Sequence, residues 1–323
     1  MTERQIFCVA PRFAYNQPKN GLSYEFLTVF KCLQDIFPTC QFVDVYQPRG
    51  IDELLSTLSA YSHARPVVLY MPFTGAITQD IADEIRKKAE LGIFHLDDTW
   101  RHDTVDRYRE HCDWFTTSDP NHHWRYQGSD ADKVRYLPFG YDQIASAKCR
   151  KPFHERDIDI SFVGAKNEYR SYVIEKLSRL GIRVECFGAG WPSGVVNQDD
   201  FFSIVGRSRL SLNLSNSSQW DVRFLARNPV AFLRNLKSNK TIEQMKARHL
   251  EVAALGSCQL SFYSSGLEQI FQIGKDILVY PNIEELAYIL QRITEDKVEM
   301  IAKNGIRAVS QHSYQQAFQK LFN

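Results

Sequence analysis

Short apolar runs alternate along the chain with stretches in which apolar residues recur at i, i+3 and i+4. In the first half, the apolar runs predict buried parallel strands at 5–10, 40–45, 66–71, 92–96 and 114–117. The amphipathic stretches between them predict helices at 24–36, 51–61 and 78–91. Alternation of strands and helices is typical of an open, doubly wound α/β sheet.

The same alternation resumes in the second half, after the charged stretch 151–156, which contains a proline. Here the pattern predicts strands at 158–163, 183–187, 210–214, 258–262 and 277–279. It predicts helices at 169–180, 242–255, 266–271 and 283–294. The charged stretch predicts a linker near 142–156, and we place the domains at 1–148 and 149–309. Two such sheets in tandem predict a ligand cleft between the carboxyl ends of their strands.

Composition narrows the functional classes. The 323 residues are enough for two domains at ~150 residues each, and the formal net charge of +1 gives no overall attraction to nucleic acid or to an anionic membrane. No apolar stretch approaches the ~18 residues that span a bilayer, and the N-terminus lacks the apolar core of a signal peptide. We therefore expect a cytoplasmic protein. Seven scattered cysteines without a CxxC pair predict reduced thiols and no metal site.

Glycines follow two strands of the second half. Gly164 comes directly after the strand 158–163 and precedes a helix, where its backbone could approach a phosphate. The alternative is a plain turn that needs a positive φ. Gly188 and Gly190 follow the next strand in the same way, but their spacing is not GxGxxG, so they predict no dinucleotide fingerprint.

The segment 242–256 carries the most informative charges. Arg248 and Glu251 are three residues apart, which places them on one face of a helix, and Lys246 lies just before them. A cation for a diphosphate and a carboxylate for ribose hydroxyls suit this geometry. The alternative is an exposed face with a salt bridge.

The sequence around this segment resembles the C-terminal domain of the CgeB-like glycosyltransferases, a branch of the glycosyl transferases group 1. Their pattern runs K-x-R-x-x-E, small residues, glycine and a short strand. Further blocks follow in the family's order over ~157 to 315, at 159–164, 187–194, 210–215, 266–276 and 311–314. The first half matches more loosely, at 94–98 and 136–140. The resemblance implies a GT-B fold, with two Rossmann-like domains facing a central cleft and a C-terminal helix, 310–323, that crosses back to the N-terminal domain.

The resemblance also implies roles for single residues. The donor would be a nucleotide-diphosphate sugar, bound without a cofactor or a metal. Glu243 and Glu251 have the E-x7-E spacing of related retaining enzymes, with Glu251 on the ribose and Glu243 near the sugar ring. Lys246 and Arg248 would neutralise the diphosphate as it leaves. Other residues would line the nucleotide pocket or offer backbone N–H groups to the donor: Asn213, Ser215 and Asn216, and Ser264, Ser265 and Gly266 at the start of a helix.

An acidic cluster follows the strand 92–96 in the first half. Asp98, Asp97 or His95 could serve as the base that deprotonates an acceptor hydroxyl in an inverting enzyme. An Asp-Asp pair after a strand is also typical of the metal site of single-domain GT-A enzymes. A third possibility is an acidic cap on the following helix.

These observations predict an enzyme, a glycosyltransferase that moves a sugar from a nucleotide-diphosphate donor to a hydroxyl acceptor. The alternative from another class is a catalytically silent GT-B module that binds a nucleotide sugar or an active partner. A metal-dependent GT-A-like enzyme using Asp97 and Asp98 is a second alternative. The acceptor stays open among glycan, protein, lipid-linked precursor and nucleic acid.

Overall fold

A computed structural model describes residues 4–61, 65–72, 75–96, 98–99, 102–215, 221–236 and 243–322. The chain forms two compact units. The first consists of Met1–Phe139 with Tyr314–Asn323, and the second of Gly140–Ser313. Each unit contains its own parallel sheet with helices on its faces.

The sheet of the first unit has six parallel strands in the order β2-β1-β3-β4-β5-β6. Their bounds are β1 Ile6–Ala10, β2 Gln41–Asp44, β3 Val67–Tyr70, β4 Glu90–Ile93, β5 Trp114–Thr117 and β6 Val134–Tyr136. The five strands predicted for this half are confirmed within a few residues, and β6 was not predicted. Phe7 and Val9 pack into one core cluster while Ile6 and Cys8 pack into the other. The interior strand β1 is therefore buried on both faces, as a parallel sheet requires.

A helix connects each strand of this sheet to the next strand along the chain. They are α1 Lys31–Ile36, α2 Gly50–Ala60, α3 Gln79–Lys88, α4 His102–Tyr108 and α5 His122–Arg125. A π-helical segment, Glu25–Phe30, runs directly into α1, so the predicted helix 24–36 is present with mixed geometry. The side chain of Thr78 accepts a hydrogen bond from the Ile81 N–H and thereby caps the start of α3.

The sheet of the second unit has five parallel strands in the order β11-β10-β9-β7-β8. Their bounds are β7 Ile158–Val163, β8 Glu185–Phe187, β9 Ser208–Asn213, β10 Cys258–Phe262 and β11 Leu278–Tyr280. All five were predicted, β7 and β10 with the same bounds. The strand β9 lies between β7 and β10, so the loops after these three strands share one edge of the sheet.

The helices of the second unit are α6 Gln143–Cys149, α7 Glu168–Arg179, α8 Gln198–Gly206, α9 Val222–Arg227, α10 Pro229–Leu236, α11 Ala247–Ala254, α12 Ile283–Arg292 and α13 Glu295–Val309. Two predictions need correction. The helix predicted at 242–255 begins only at Ala247 because Gln244 pairs as an isolated β-bridge with Ser265. The helix predicted at 266–271 is a single 3₁₀ turn, Leu267–Gln269.

A last helix, α14 Tyr314–Phe322, belongs to the first unit. Its residues Tyr314, Phe318 and Phe322 are buried in the same cluster as Ile6 and Cys8 of β1. The rings of Tyr314 and Phe318 stack on each other at 5.4 Å. The first unit is therefore assembled from two separate stretches of the sequence.

Most of the charged stretch 151–156 is exposed, but its last residue, Arg156, is anchored in the second unit. Arg156 is 3% exposed, and its guanidinium donates to the carbonyl oxygens of Lys151, Ser208 and Leu255. Burial lowers the pKa of Arg156 to about 10. The division between the units lies at Phe139–Gly140, before α6, instead of at 148–149.

Within the described ranges, no helix is both long enough and apolar enough to cross a bilayer.

Candidate functional site

Several residues of the predicted donor site meet at the carboxyl edge of the second sheet. Ser215 follows β9 by two residues, and its hydroxyl donates to the carboxylate of Glu243. Asn213 is the last residue of β9, and its carbonyl accepts a hydrogen bond from the Tyr280 hydroxyl at 3.0 Å. Glu243 and Ser215 are far apart in sequence, so the fold brings the first carboxylate of the E-x7-E pair to the end of β9.

Arg170 lies in the same cluster and was not predicted. Its guanidinium donates to the carbonyl oxygens of Leu214 and Ser215 at 3.1 and 3.2 Å and to that of Ala165 at 2.9 Å. Burial lowers the pKa of Arg170 to about 10, and the charge of Glu243 opposes this shift. Arg170 therefore adds a half-buried cation beside Glu243. In the sequence it stands three residues after Asn167, whose side chain caps α7.

The start of α11 places Lys246, Arg248 and Glu251. Lys246 is the residue before the helix. Arg248 stacks its guanidinium on the ring of Phe201, 3.6 Å from the centroid. The carboxylate of Glu251 accepts a hydrogen bond from the Gln198 amide at 3.1 Å.

Arg248 and Glu251 therefore share one face of α11, and this face is directed at α8. Glu251 is 2% exposed, and burial raises its pKa. The alternative of an exposed face with a salt bridge is therefore wrong for Glu251. Sequence spacing could show that these two residues share a face, but the partners Gln198 and Phe201 on α8 could not be read from it.

The glycine loops pack closely against each other. Gly188 has a φ of 126°, and a Cβ there would lie 2.6 Å from the Gly164 carbonyl oxygen. The Gly164 N–H donates to the Phe187 carbonyl at 2.8 Å. Gly164 does not have a positive φ, and a Cβ there would lie 2.9 Å from the Phe162 ring, so side-chain packing rather than a special turn explains that glycine. Gly190 has a φ of 85°.

The segment 264–266 lies beside the extended residues before α11. Ser265 pairs with Gln244, Ser264 is buried, and Gly266 has a φ of 92°. The 3₁₀ turn that follows has three residues, so this segment does not offer the N-terminus of a helix. Its predicted contact with the donor stays a prediction.

In the first unit, Asp98 forms a network of hydrogen bonds with the end of β5. Its carboxylate accepts hydrogen bonds from the Thr117 hydroxyl, the Ser118 N–H at 3.1 Å and the Ser118 hydroxyl at 2.6 Å. Asp98 is 2% exposed. These bonds join the residues after β4 to the end of β5.

His95 lies near Asp98. It is 5% exposed, and its Nε2 atom has no hydrogen-bond partner among the described residues. Burial lowers the pKa of His95 to about 3, which makes it a weak base. Two further candidates, Asp97 and Asn216, lie outside the described residues.

The variant Asp98→Asn tests which role this carboxylate has. We expect a loss of ~1 to 3 kcal/mol in the free energy of unfolding, because an amide presents only one acceptor oxygen to three donors. Turnover per folded molecule should stay close to that of the wild type. Urea unfolding gives the first quantity, and Asp103→Asn, an exposed position on α4, is the control. Unchanged stability with lost turnover would instead identify Asp98 as the catalytic base.

Comparison with known proteins defines the class. The fold, with two parallel-sheet α/β units, is the GT-B fold of glycosyltransferases. Residues 170–323, slightly less than half of the chain, match the family described as glycosyl transferase-like. The fold and this match together indicate a glycosyltransferase. The GT-A alternative is wrong because the chain has two separate sheets.

Three solved structures illustrate the likeness in fold. The catalytic domain of starch synthase IV from Arabidopsis thaliana, bound to ADP and acarbose, is 9% identical with a TM-score of 0.64, and the alignment covers 99% of both chains. Anabaena Alr3699/HepE in complex with UDP and glucose is 12% identical, with a TM-score of 0.60 over 98% of this chain and 99% of that chain. Sucrose-phosphate synthase from Thermosynechococcus elongatus is 11% identical, with a TM-score of 0.57 over 99% and 98%. A search of curated proteins finds no match to the sequence.

Proposed function

We propose that this chain transfers a sugar from a nucleotide-diphosphate donor to a hydroxyl acceptor and that it is a CgeB-like member of the group 1 glycosyltransferases. The observation that carries the proposal is the arrangement of the E-x7-E carboxylates around the start of α11, with cations beside them. Glu243 lies at the end of β9, and Glu251 lies against α8. The complexes of HepE with UDP and glucose, and of starch synthase IV with ADP, support a nucleotide as part of the donor.

The cations suit the leaving diphosphate. Arg170, Lys246 and Arg248 lie around the carboxyl edge of the second sheet, and the charge of Arg248 lowers the pKa of Arg170 further. Like charges that are held close together cost free energy unless an anion joins them. Guanidinium groups also bind phosphate in a fixed, bidentate geometry. A diphosphate would relieve this repulsion, and we propose that it does so without a metal ion.

Glu251 would bind the ribose. Its carboxylate already accepts a hydrogen bond from the Gln198 side chain, a neutral donor like a hydroxyl. A ribose hydroxyl can replace or join that amide without leaving the buried carboxylate unpaired. We propose that Gln198 stands where the nucleoside sugar binds.

Glu243 would lie near the transferred sugar. Its carboxylate is held by Ser215 and is close to the charge of Arg170. The loop around Gly164 lies near Glu243, because Arg170, which is beside Glu243, also donates to the carbonyl of Ala165. The loop at Gly188 packs against Gly164. We propose that these loops, together with Gly190 and Asn213, border the donor.

Titration of UDP, ADP and GDP by calorimetry tests the proposal. At least one should bind, and the affinity should persist in EDTA because the cations replace a metal. A second assay follows hydrolysis of the matching sugar nucleotides. Binding without any turnover would favour the catalytically silent module, and the absence of binding by all three nucleotides would overturn the proposed donor class. Activity that EDTA abolishes and Mg²⁺ restores would overturn metal independence.

A further inference from the structure

A layer of polar side chains lies between α11 and the second sheet. On the strands, the hydroxyls of Ser161 and Ser211 are 3.0 Å apart, and Ser211 also lies 2.8 Å from the hydroxyl of Ser257. All three serines are at most 3% exposed. The contact between a helix and a sheet is normally apolar because buried polar groups cost free energy unless they are hydrogen-bonded. The layer therefore calls for an explanation beyond packing.

His249 makes further polar contacts between the start of α11 and the sheet. The ring is fully buried. On the helix side, its Nδ1 atom accepts a hydrogen bond from the Lys246 N–H at 3.0 Å. On the sheet side, its Nε2 atom lies 3.0 Å from the Ser261 hydroxyl and 3.1 Å from the Asn213 side-chain amide. Both ring nitrogens thus have partners, Nδ1 on the helix and Nε2 on the sheet.

These contacts fix the point at which the helix begins. The N–H groups of the first turn have no partner within a helix, and a side chain at the third position that reaches back to the residue before the helix closes one half of a capping box. His249 occupies that third position. Because its other nitrogen is held by Ser261 of β10, the ring sets the position of Lys246 relative to the sheet.

The charge of the ring suits this task. Burial lowers the pKa of His249 to about 4, and the nearby charges of Lys246 and Arg248 lower it as well. The ring is therefore neutral at pH 7, so that one nitrogen keeps the lone pair that accepts the Lys246 N–H. A neutral ring also adds no further positive charge beside the cations.

We propose that His249 is a positioning residue that holds Lys246 and Arg248 in place for the diphosphate of the donor, through its bonds to the Lys246 backbone and to the Ser261 hydroxyl. This inference rests on the donor site proposed above. It assigns to His249 no contact with the donor itself. The residue acts through the beginning of α11.

The proposal separates the phosphate part of binding from the nucleoside part. Because His249 supports the cations, its loss should reduce the affinity gained from the second phosphate, which is the ratio of the dissociation constants of a nucleoside monophosphate and its diphosphate. A general loosening of the unit would not change that ratio selectively. The probes are UMP with UDP, AMP with ADP and GMP with GDP, of which the pair with the tightest diphosphate is used.

Three variants carry the test. His249→Leu removes both ring contacts, and we expect the ratio to fall about tenfold, the value of one hydrogen bond to a charged group. His249→Gln can reach back to the Lys246 N–H as glutamine does in a capping box, and the ratio should recover most of the loss. Leu286→Ala opens a cavity in the core of the same unit, on α12, and should leave the ratio unchanged while lowering the melting temperature.

The outcomes distinguish the two proposals. If the wild type binds none of the diphosphates, the proposed donor site itself fails. If the wild type binds but His249→Leu keeps the wild-type ratio, or Leu286→Ala lowers the ratio equally, only the role of His249 is overturned. Should His249→Leu not fold, Ser261→Ala replaces it. A fall in the ratio for Ser261→Ala supports the positioning role, and an unchanged ratio contradicts it.

Discussion

Replacing Glu251 or Arg248 by alanine should weaken nucleotide binding about tenfold to more than a hundredfold, in keeping with the ~1.5 to 3 kcal/mol of a hydrogen bond to a charged group. The two losses should differ in kind. Glu251→Ala removes the proposed ribose contact and should weaken a monophosphate and a diphosphate alike. Arg248→Ala should weaken binding of the diphosphate more than binding of the monophosphate, because the Arg248 guanidinium lies near the other cation, Arg170. Calorimetry with UMP and UDP, or the matching adenine or guanine pair, measures both.

Exposed residues provide matched controls for these variants. Arg179→Ala removes a guanidinium that is 71% exposed near the end of α7, and Glu299→Ala removes a carboxylate on α13 that pairs with Lys303. Neither should change nucleotide affinity. Wild-type affinity in both Glu251→Ala and Arg248→Ala, with the fold intact by circular dichroism, would remove this site from consideration.

Arg156→Ala should lower the free energy of unfolding of the second unit by ~3 kcal/mol or more. The substitution leaves the carbonyl oxygens of Ser208 and Leu255, whose bonds to Arg156 are buried, without this donor, and each such loss costs ~1 to 3 kcal/mol. The carbonyl of Lys151 loses a part-buried bond as well. Urea unfolding followed by circular dichroism measures this loss.

The neighbouring Arg207→Ala is the control, because Arg207 pairs with the exposed Asp157 and should lose far less stability. Equal unfolding midpoints for Arg156→Ala and Arg207→Ala would show that the stretch 151–156 behaves as a linker after all.

The strands could be predicted because their signal is local. The runs 158–163 and 258–262 are bounded by polar residues and turns, and the structure has the same bounds. By contrast, β6 has only three residues, with the exposed Arg135 at its centre. Its pairing with β5 makes it a strand, and pairing across the sheet leaves no mark in a short sequence window.

The site shows the same limit. The spacing of Arg248 and Glu251 predicted a shared helix face, which is confirmed by their contacts with α8. Arg170 could not be predicted because its guanidinium donates to backbone carbonyls 44 and 45 residues away. Every residue has a backbone carbonyl, so the sequence does not show which one is the partner. The start of α11 was placed too early for a similar reason, since the bridge between Gln244 and Ser265 depends on a distant segment.

The helix α14 has a consequence for the order in which the protein can fold during synthesis. The ribosome completes the strands of the first unit early, but the aromatic residues Tyr314, Phe318 and Phe322, which are part of one of its core clusters, emerge only after the whole second unit has been made. Until then, the segment 25–36 packs on the apolar face formed by β1 and its neighbours, but the part that α14 covers stays exposed. The second unit is contiguous in sequence and faces no such delay. During synthesis, the N-terminal half therefore exposes apolar surface until α14 has been made, and a chaperone can bind this surface in the meantime.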